Sequence, residues 1–325
     1  MIPRHEYSGK FIYIYGSDGR RFKTQVLGRR PHIAHICLAH NLAFPKDVVS
    51  IPENNYQGTV PGVAYSAGID SASAMAILDN GIALYLNDGS GFCRFATKSL
   101  LSIRTDRIRA YTVDCNVQRL RRPYGFPTDL AVAIPLIINA VHFDLDSIAT
   151  GTIMESAYNI GRGRYGDFPR TGYWLNWNNI FTSVGLPLNF VVGGLSEVAT
   201  FNIANRLNLK AKSCLRRPMT SCRRCYKCYR RAAISGELLP MNNHTRYNIL
   251  KKHHTNILDY AYHKHDIKFY SKSVKQYMGY LEKWYPNSIE LIVPKYREQV
   301  TNNINNLLPT MDSNDISILE SYGHQ

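Results

Sequence analysis

The sequence predicts an α/β fold built on a doubly wound parallel sheet, and three observations carry that reading. Strand-like and helix-like segments alternate over roughly 150 residues from about position 61, the pattern of a sheet with crossover helices. The first of these strands runs through a Gly-containing turn straight into a helix, a βαβ beginning. After Arg231 the composition shifts to Tyr, His, Lys and Asn. The expected organisation is therefore a β-rich N-terminal region at 1–60, a central domain at 61–233 and a helical C-terminal appendage at 234–325.

Each element has a local reason. KFIYIYG (10–16), SDGRR and FKTQVLG (22–28) read as strand, turn, strand, with Asp-Gly as the turn signal. GVAYS (62–66) is a short apolar strand, IDSASAMAIL (69–78) a helix, and GIALYL (81–86) a second buried strand. IRAYTVDC (108–115) reads as a third strand, and TDLAVAIPLIINAVHF (128–143) as an apolar helix tolerating Pro135. LDSIATG (145–151) and NFVVGG (189–194) read as fourth and fifth strands. SEVATFNIANRLN (196–208) is an amphipathic helix capped by Ser196. Helical spacing continues in the appendage, which ends in a polar tail after about residue 310 with the composition of a disordered segment.

Composition is that of a globular protein, with 45% hydrophobic and 19% charged residues. No apolar run reaches the 18 residues of a membrane span, and the N-terminal residues lack the apolar core of a signal peptide; the expectation is a cytoplasmic protein without membrane partners. The formal charge of +15, from 39 Lys+Arg against 24 Asp+Glu, favours anionic partners such as nucleotides, nucleic acid or acidic metabolites, and a basic surface is also open to a protein partner. A homodimer is compatible with the sequence.

The most informative segment is Ser66-Ala67-Gly68-Ile69-Asp70-Ser71, between an apolar strand and a helix. A helix N-terminus offers unpaired N–H groups and a positive dipole end to an anion. Ser66 and Ser71 add hydroxyls, Gly68 permits close backbone approach, and Asp70 can cap the helix or help hold a phosphate-bound Mg²⁺. The G-K-[ST] ending of a Walker A loop is absent.

Four of the seven cysteines, Cys214, Cys222, Cys225 and Cys228, follow C-x7-C-x2-C-x2-C. C-x2-C knuckles supply ligand pairs from one tight turn, and an all-thiolate set favours closed, structural Zn²⁺; an iron–sulfur cluster is the competing occupant. The surrounding arginines, Arg230 and Arg231 among them, either offset thiolate charge or face an anionic ligand. Cys37, Cys93 and Cys115 read as ordinary buried thiols.

The segment 66–71 resembles the PP-loop of the N-type ATP pyrophosphatases, whose usual form is a strand, S-G-G-x-D-S and a helix; Ala67 stands where that family has its first glycine. That resemblance implies an adenine nucleotide alpha hydrolase-like fold and ATP cleavage between the α and β phosphates. With the cysteine pattern following the last helix of the domain, the chain is similar to the 7-cyano-7-deazaguanine synthase family of queuosine-type biosynthesis. Residues 186–209, the Ser213-Cys214 step and Arg164-Tyr165-Gly166-Asp167 fall in matching order. The resemblance, over about residues 61–233, implies an ATP-dependent C–N ligase. It would adenylate a 7-carboxy-7-deazaguanine-like acceptor, release pyrophosphate and AMP, and use ammonia as nitrogen donor. It implies ATP contacts at Ser66, Ala67, Gly68, Ile69, Asp70, Ser71 and Gly151, with Asp70 and Ser71 catalytic. Arg164 and Asp167 would face the acceptor, and Cys214, Cys222, Cys225 and Cys228 would hold Zn²⁺. A tRNA-modifying PP-loop enzyme, or a non-catalytic zinc-knuckle module binding nucleic acid or protein through the Tyr/His-rich 242–284 stretch, are the alternatives.

Overall fold

Period-two alternation builds the N-terminal sheet. Strands β1 (His5–Ser8), β2 (Phe11–Tyr15) and β3 (Arg21–Gln25) form an antiparallel sheet in that order. Ile12, Ile14, Phe22 and Thr24 point inward and are fully buried, while Phe11, Tyr13, Tyr15, Arg21 and Lys23 take the other face. The Asp-Gly turn joins β2 to β3, with Gly19 at φ +77°, a left-handed geometry that glycine adopts freely. The computed structural model describes residues 2–89, 93–120, 128–211, 214, 222–237, 239, 255–267 and 278–323.

Four parallel strands make the second sheet: β4 (Val60–Tyr65), β5 (Gly81–Asn87), β6 (Ile108–Asp114) and β7 (Leu145–Ala149), in spatial order β6-β5-β4-β7. Val63 of β4 pairs with Ala83 on one side and Ala149 on the other. The α/β class thus holds. The first three strands add in one direction and β7 returns to the free side of β4, so the order reverses between β4 and β7. In open α/β sheets, ligands bind beyond the carboxyl ends of strands at such a reversal. β5 is buried on both faces as far as Leu86, which accounts for its unbroken apolar run.

The chain divides into two compact units. The first comprises Met1–Ser66, Ala74–Thr150 and Gly172–Asn189; the second comprises Ala67–Ser73, Gly151–Thr171 and Phe190–Gln325. Both sheets belong to the first. So do helices α1 (Ile33–Ala43), α3 (Cys93–Ile103), α4 (Ile134–Ile138) and α5 (Gly172–Ser183), whereas α2 (Ile69–Leu78) starts in the second unit and ends in the first. α4 packs on β4 and β5, and α3 on β5 and β6. The second unit holds α6 (Glu197–Arg206), α7 (Tyr226–Ile234), α8 (Thr255–His265), α9 (Arg297–Asn305) and α10 (Ser313–Glu320).

Several elements differ from the sequence reading. The β-rich N-terminal region also holds a helix that the sequence reading did not place: α1 buries every residue from Ala34 to Ala43, His35, His40 and Asn41 included, as in a helix enclosed on every side. The helix expected over 128–143 is broken into a 3₁₀ turn at Asp129–Ala133, α4, and a last turn at Ala140–Phe143. Pro135 stands in the first turn of α4, where no N–H is required. Asn139 then diverts the chain, its Nδ2 donating to the carbonyls of Pro135 and Gln25. NFVVGG is not a fifth strand. Leu188 makes only an isolated bridge to Ile148, the Phe190 N–H turns to the Leu291 carbonyl, and Gly193 closes a turn on Phe190. The tail beyond residue 310 carries helix α10. Asp312 and Asp315 form a capping box on α10, Lys283 pairs with both, and Met311, Leu319 and Tyr322 are buried. No helix among the described residues is long and apolar enough to cross a membrane.

Candidate functional site

Strand β4 delivers the chain to Ser66, which is exposed at the end of the first unit. From Ala67 the chain belongs to the second unit. Ala67 is buried with φ +61°, so an alanine makes the left-handed bend between β4 and α2. The carbonyl of Gly68 accepts from Ala72 N at 3.0 Å and from Ser71 Oγ at 3.2 Å, closing the first turn of α2. Ser71 is 1% exposed, its hydroxyl turned into that turn, and Ile69 is buried beside it. Gly151 packs against the same turn. A Cβ there would lie 2.8 Å from Ser71 N and 3.2 Å from the Asp70 carbonyl carbon, so glycine is required for the approach.

Asp70 does not serve as a simple cap. Its Oδ1 accepts from Thr200 Oγ1 of α6 at 3.0 Å. Burial raises its pKa, against the lowering by Thr200 and the charges of Lys227, Arg230 and Arg231. The same helix α6 is capped twice over. Ser196 Oγ accepts from Ala199 N, and both oxygens of Glu155 accept from Glu197 N at 3.0 Å. Asn256 Nδ2 of α8 also donates to Glu155, at 2.9 Å. Burial, then the Glu197 charge, pushes the Glu155 carboxyl up to about 8. Glu197 is itself raised by burial, opposed first by Arg230.

The helix that starts at the cysteines supplies the cations of this cluster. Cys225 is the N-cap of α7, and Cys228, Lys227, Arg230 and Arg231 lie on that helix. All four sulfurs, those of Cys214, Cys222, Cys225 and Cys228, lie within 4.8 Å of one another. The Cys222–Cys228 and Cys225–Cys228 sulfurs are 3.8 and 3.5 Å apart. Four bonds of about 2.3 Å in a tetrahedron require edges of about 3.8 Å, so the sulfurs suit a metal ion such as zinc. The Arg224 N–H also points to Cys222 Sγ at 3.4 Å, as in a C-x2-C turn. Anchored there, α7 carries Arg230 to Glu197, with Nε 3.1 Å from Oε2. Beyond the two roles expected of the arginines, Arg230 thus meets a carboxylate of α6. Elsewhere, Cys37 and Cys115 are buried.

Arg164 and Asp167 come together on the wall of an open cavity of about 790 Å³. An adjoining cavity of about 260 Å³ shares Tyr165, Asp167 and Glu320 with it and is lined also by Tyr158, Arg170 and Tyr285. Tyr285 Oη donates to Glu320 at 2.6 Å and lies 3.0 Å from Tyr165 Oη. Tyr158 is 1% exposed and its hydroxyl has no protein partner among the described residues.

Residues 176–323 match a family model described as "Family of unknown function (DUF6395)". No curated protein matches the chain. The matched stretch contains Glu197, Thr200, the four cysteines and Arg230, and leaves out Ala67–Ser71, Gly151 and Glu155.

Of the residues that the sequence points to, the structure brings Gly151 against the loop, the four sulfurs together, and Arg164 and Asp167 to one cavity wall. Sequence reasoning missed Glu155, Glu197, Thr200, Tyr158, Tyr285 and Glu320 as members of a site. Glu197 follows the legible Ser196 cap, which was a usable signal. Glu155 and Glu320 have no motif around them.

Proposed function

We propose that the chain is an ATP-dependent C–N ligase of the PP-loop type, similar to the 7-cyano-7-deazaguanine synthase family, with a doubly wound sheet and structural zinc on its four cysteines. The observation that carries this reading is the placement of Asp70. Its carboxylate stands in the first turn of a helix that follows a parallel strand at the reversal of strand order. It is held by Thr200, in the field of Lys227, Arg230 and Arg231. In this reading Ala67–Ser71 take the ATP phosphates, the α2 N-terminus supplies N–H groups and dipole, and Gly151 packs against that turn. Asp70 would help hold a phosphate-bound Mg²⁺, whose chemistry is to draw charge from the phosphate oxygens.

The reaction follows from acyl chemistry. An oxygen of the acceptor carboxylate attacks the α-phosphorus of ATP, the bond from that phosphorus to the β-phosphate oxygen breaks, and pyrophosphate leaves. The nitrogen of ammonia then bonds to the acyl carbon and gives up a proton, and AMP departs with the electrons of the broken C–O bond. Activation is needed because AMP is a far better leaving group than oxide. The cavities along Arg164, Tyr165 and Asp167 suit a small polar ring acid: a guanidinium for its carboxylate, an aromatic surface for its plane, a carboxylate for ring N–H groups.

The test is AMP and pyrophosphate release from ATP, Mg²⁺ and ammonium with 7-carboxy-7-deazaguanine and other ring acids, alongside calorimetry of ATP binding. Wild type should bind ATP and release AMP with an acceptor present, and Asp70→Ala should do neither. Arg164→Ala should raise the acceptor KM with little change in ATP binding. If wild type binds no ATP and no acceptor yields AMP, the reading is wrong.

A further inference from the structure

The outward face of the N-terminal sheet carries a feature that the ligase reading leaves unused. Phe11, Tyr13 and Tyr15 form a row along β2 on the side opposite buried Ile12 and Ile14, each partly exposed. The register sets Lys23 across from Tyr13 and Arg21 across from Tyr15. Every ring of the row has a cation over it. Lys23 and Lys10 lie 4.5 and 5.5 Å from the Phe11 centroid, Arg21 lies 4.9 Å from Tyr13, and Arg4 lies 4.6 Å from Tyr15. Among the described residues, two carboxylates accompany these four cations: Glu6, 3.6 Å from Arg21, and Asp114, 4.0 Å from Lys10.

We propose that this face binds single-stranded nucleic acid, with unpaired bases stacked along the Phe11–Tyr13–Tyr15 row and phosphates paired with Arg4, Lys10, Arg21 and Lys23. Alternate residues of a strand stand about 6.8 Å apart, a spacing that an extended strand with splayed bases can follow. Rings on an open sheet are the stacking platform of such sites, and flanking cations track the backbone. A guanidinium lying on a ring offers its own outer plane to a base, and at Phe11 both Lys23 and Lys10, the latter with a side chain 59% exposed, would rotate aside to uncover the ring. The chain's charge of +15 is complementary to a polyphosphate backbone. A duplex would use the cations and leave the rings idle, as would an acidic protein. No group on the face is assigned to the sugar, so RNA and DNA strands are equivalent partners. This inference is independent of the ligase reading, and failure of AMP release leaves it intact.

The test is fluorescence anisotropy of the full chain with labelled 12-mers of oligo-U, oligo-dT and a duplex, with polyglutamate as competitor. The two single strands should bind within threefold of each other, and the duplex about tenfold more weakly. Tyr13→Ala should weaken binding about tenfold and Tyr13→Phe should not. Arg21→Ala with Lys23→Ala should lower the slope of log K against log salt by about 1.4, at about 0.7 per lost phosphate contact. Should Tyr13→Ala melt early, Tyr13→Leu and the salt slope decide instead. Absent binding, equal binding of duplex, full competition by polyglutamate, or a slope unchanged by the double substitution would each overturn the proposal.

Discussion

Arg230 Nε lies 3.1 Å from Glu197 Oε2, with the two side chains only 10% and 11% exposed. One residue belongs to the helix that begins at Cys225 and the other to the first turn of α6, whose Thr200 holds Asp70. The pair therefore links the cysteine helix to the carboxylates of the candidate site. Removing one partner strands a buried charge.

Arg230→Met should destabilise the chain by about 3–5 kcal/mol, read from urea denaturation. Combining it with Glu197→Gln should restore part of that loss, because no uncompensated charge is then buried. A single-variant loss below about 1 kcal/mol would show that the pair does not hold α7 on α6.

Ala67 at φ +61° occupies a region that disfavours a Cβ by about 1–2 kcal/mol. Glycine removes that strain but adds about 0.5–1 kcal/mol of unfolded-state entropy. Ala67→Gly should therefore stabilise by about 0.5–1 kcal/mol, and Ala67→Val should destabilise. Thermal melts of both variants check the sign. A destabilised glycine variant would mean that the loop is not bent as described.

Glu155 makes stability depend on pH in a definite direction. Its carboxyl is raised from 4.5 to about 8 by burial and then by the Glu197 charge. Between those values the folded chain binds more protons than the unfolded one. This group's contribution is thus complete below about pH 4.5 and declines as pH rises to about 8. The slope is at most about 1.4 kcal/mol per pH unit. Glu155→Gln should flatten the urea midpoint between pH 5 and 8; an unchanged slope would remove Glu155 as its source.

Metal occupancy should be visible without any assay of activity. Native mass spectrometry should find one zinc per chain, lost in Cys222→Ser. Chelation should also raise hydrogen exchange over Tyr226–Ile234, because α7 starts on Cys225 and carries Cys228. Exchange that is unaffected by metal loss would contradict a structural role for the ion.

Much of the local architecture was legible because its signals are short-range. Alternation in Phe11–Tyr15 specifies which side of a strand is buried, Asp18-Gly19 specifies a turn, Ser196 specifies a helix start, and the cysteine spacing specifies a knuckle. The loop after β4 was legible for the same reason. What periodicity could not reveal depends on partners distant in the chain. Glu155 caps α6 from 42 residues away, and Thr200 meets Asp70 from 130 residues away. Asn189–Gly194 has the residues of a strand, yet Phe190 finds its hydrogen-bond partner in Leu291. A residue's pattern states which side it prefers to bury. Which carboxylate, hydroxyl or guanidinium meets it there depends on how the folded chain satisfies its buried polar groups, and those choices are made across the whole chain at once.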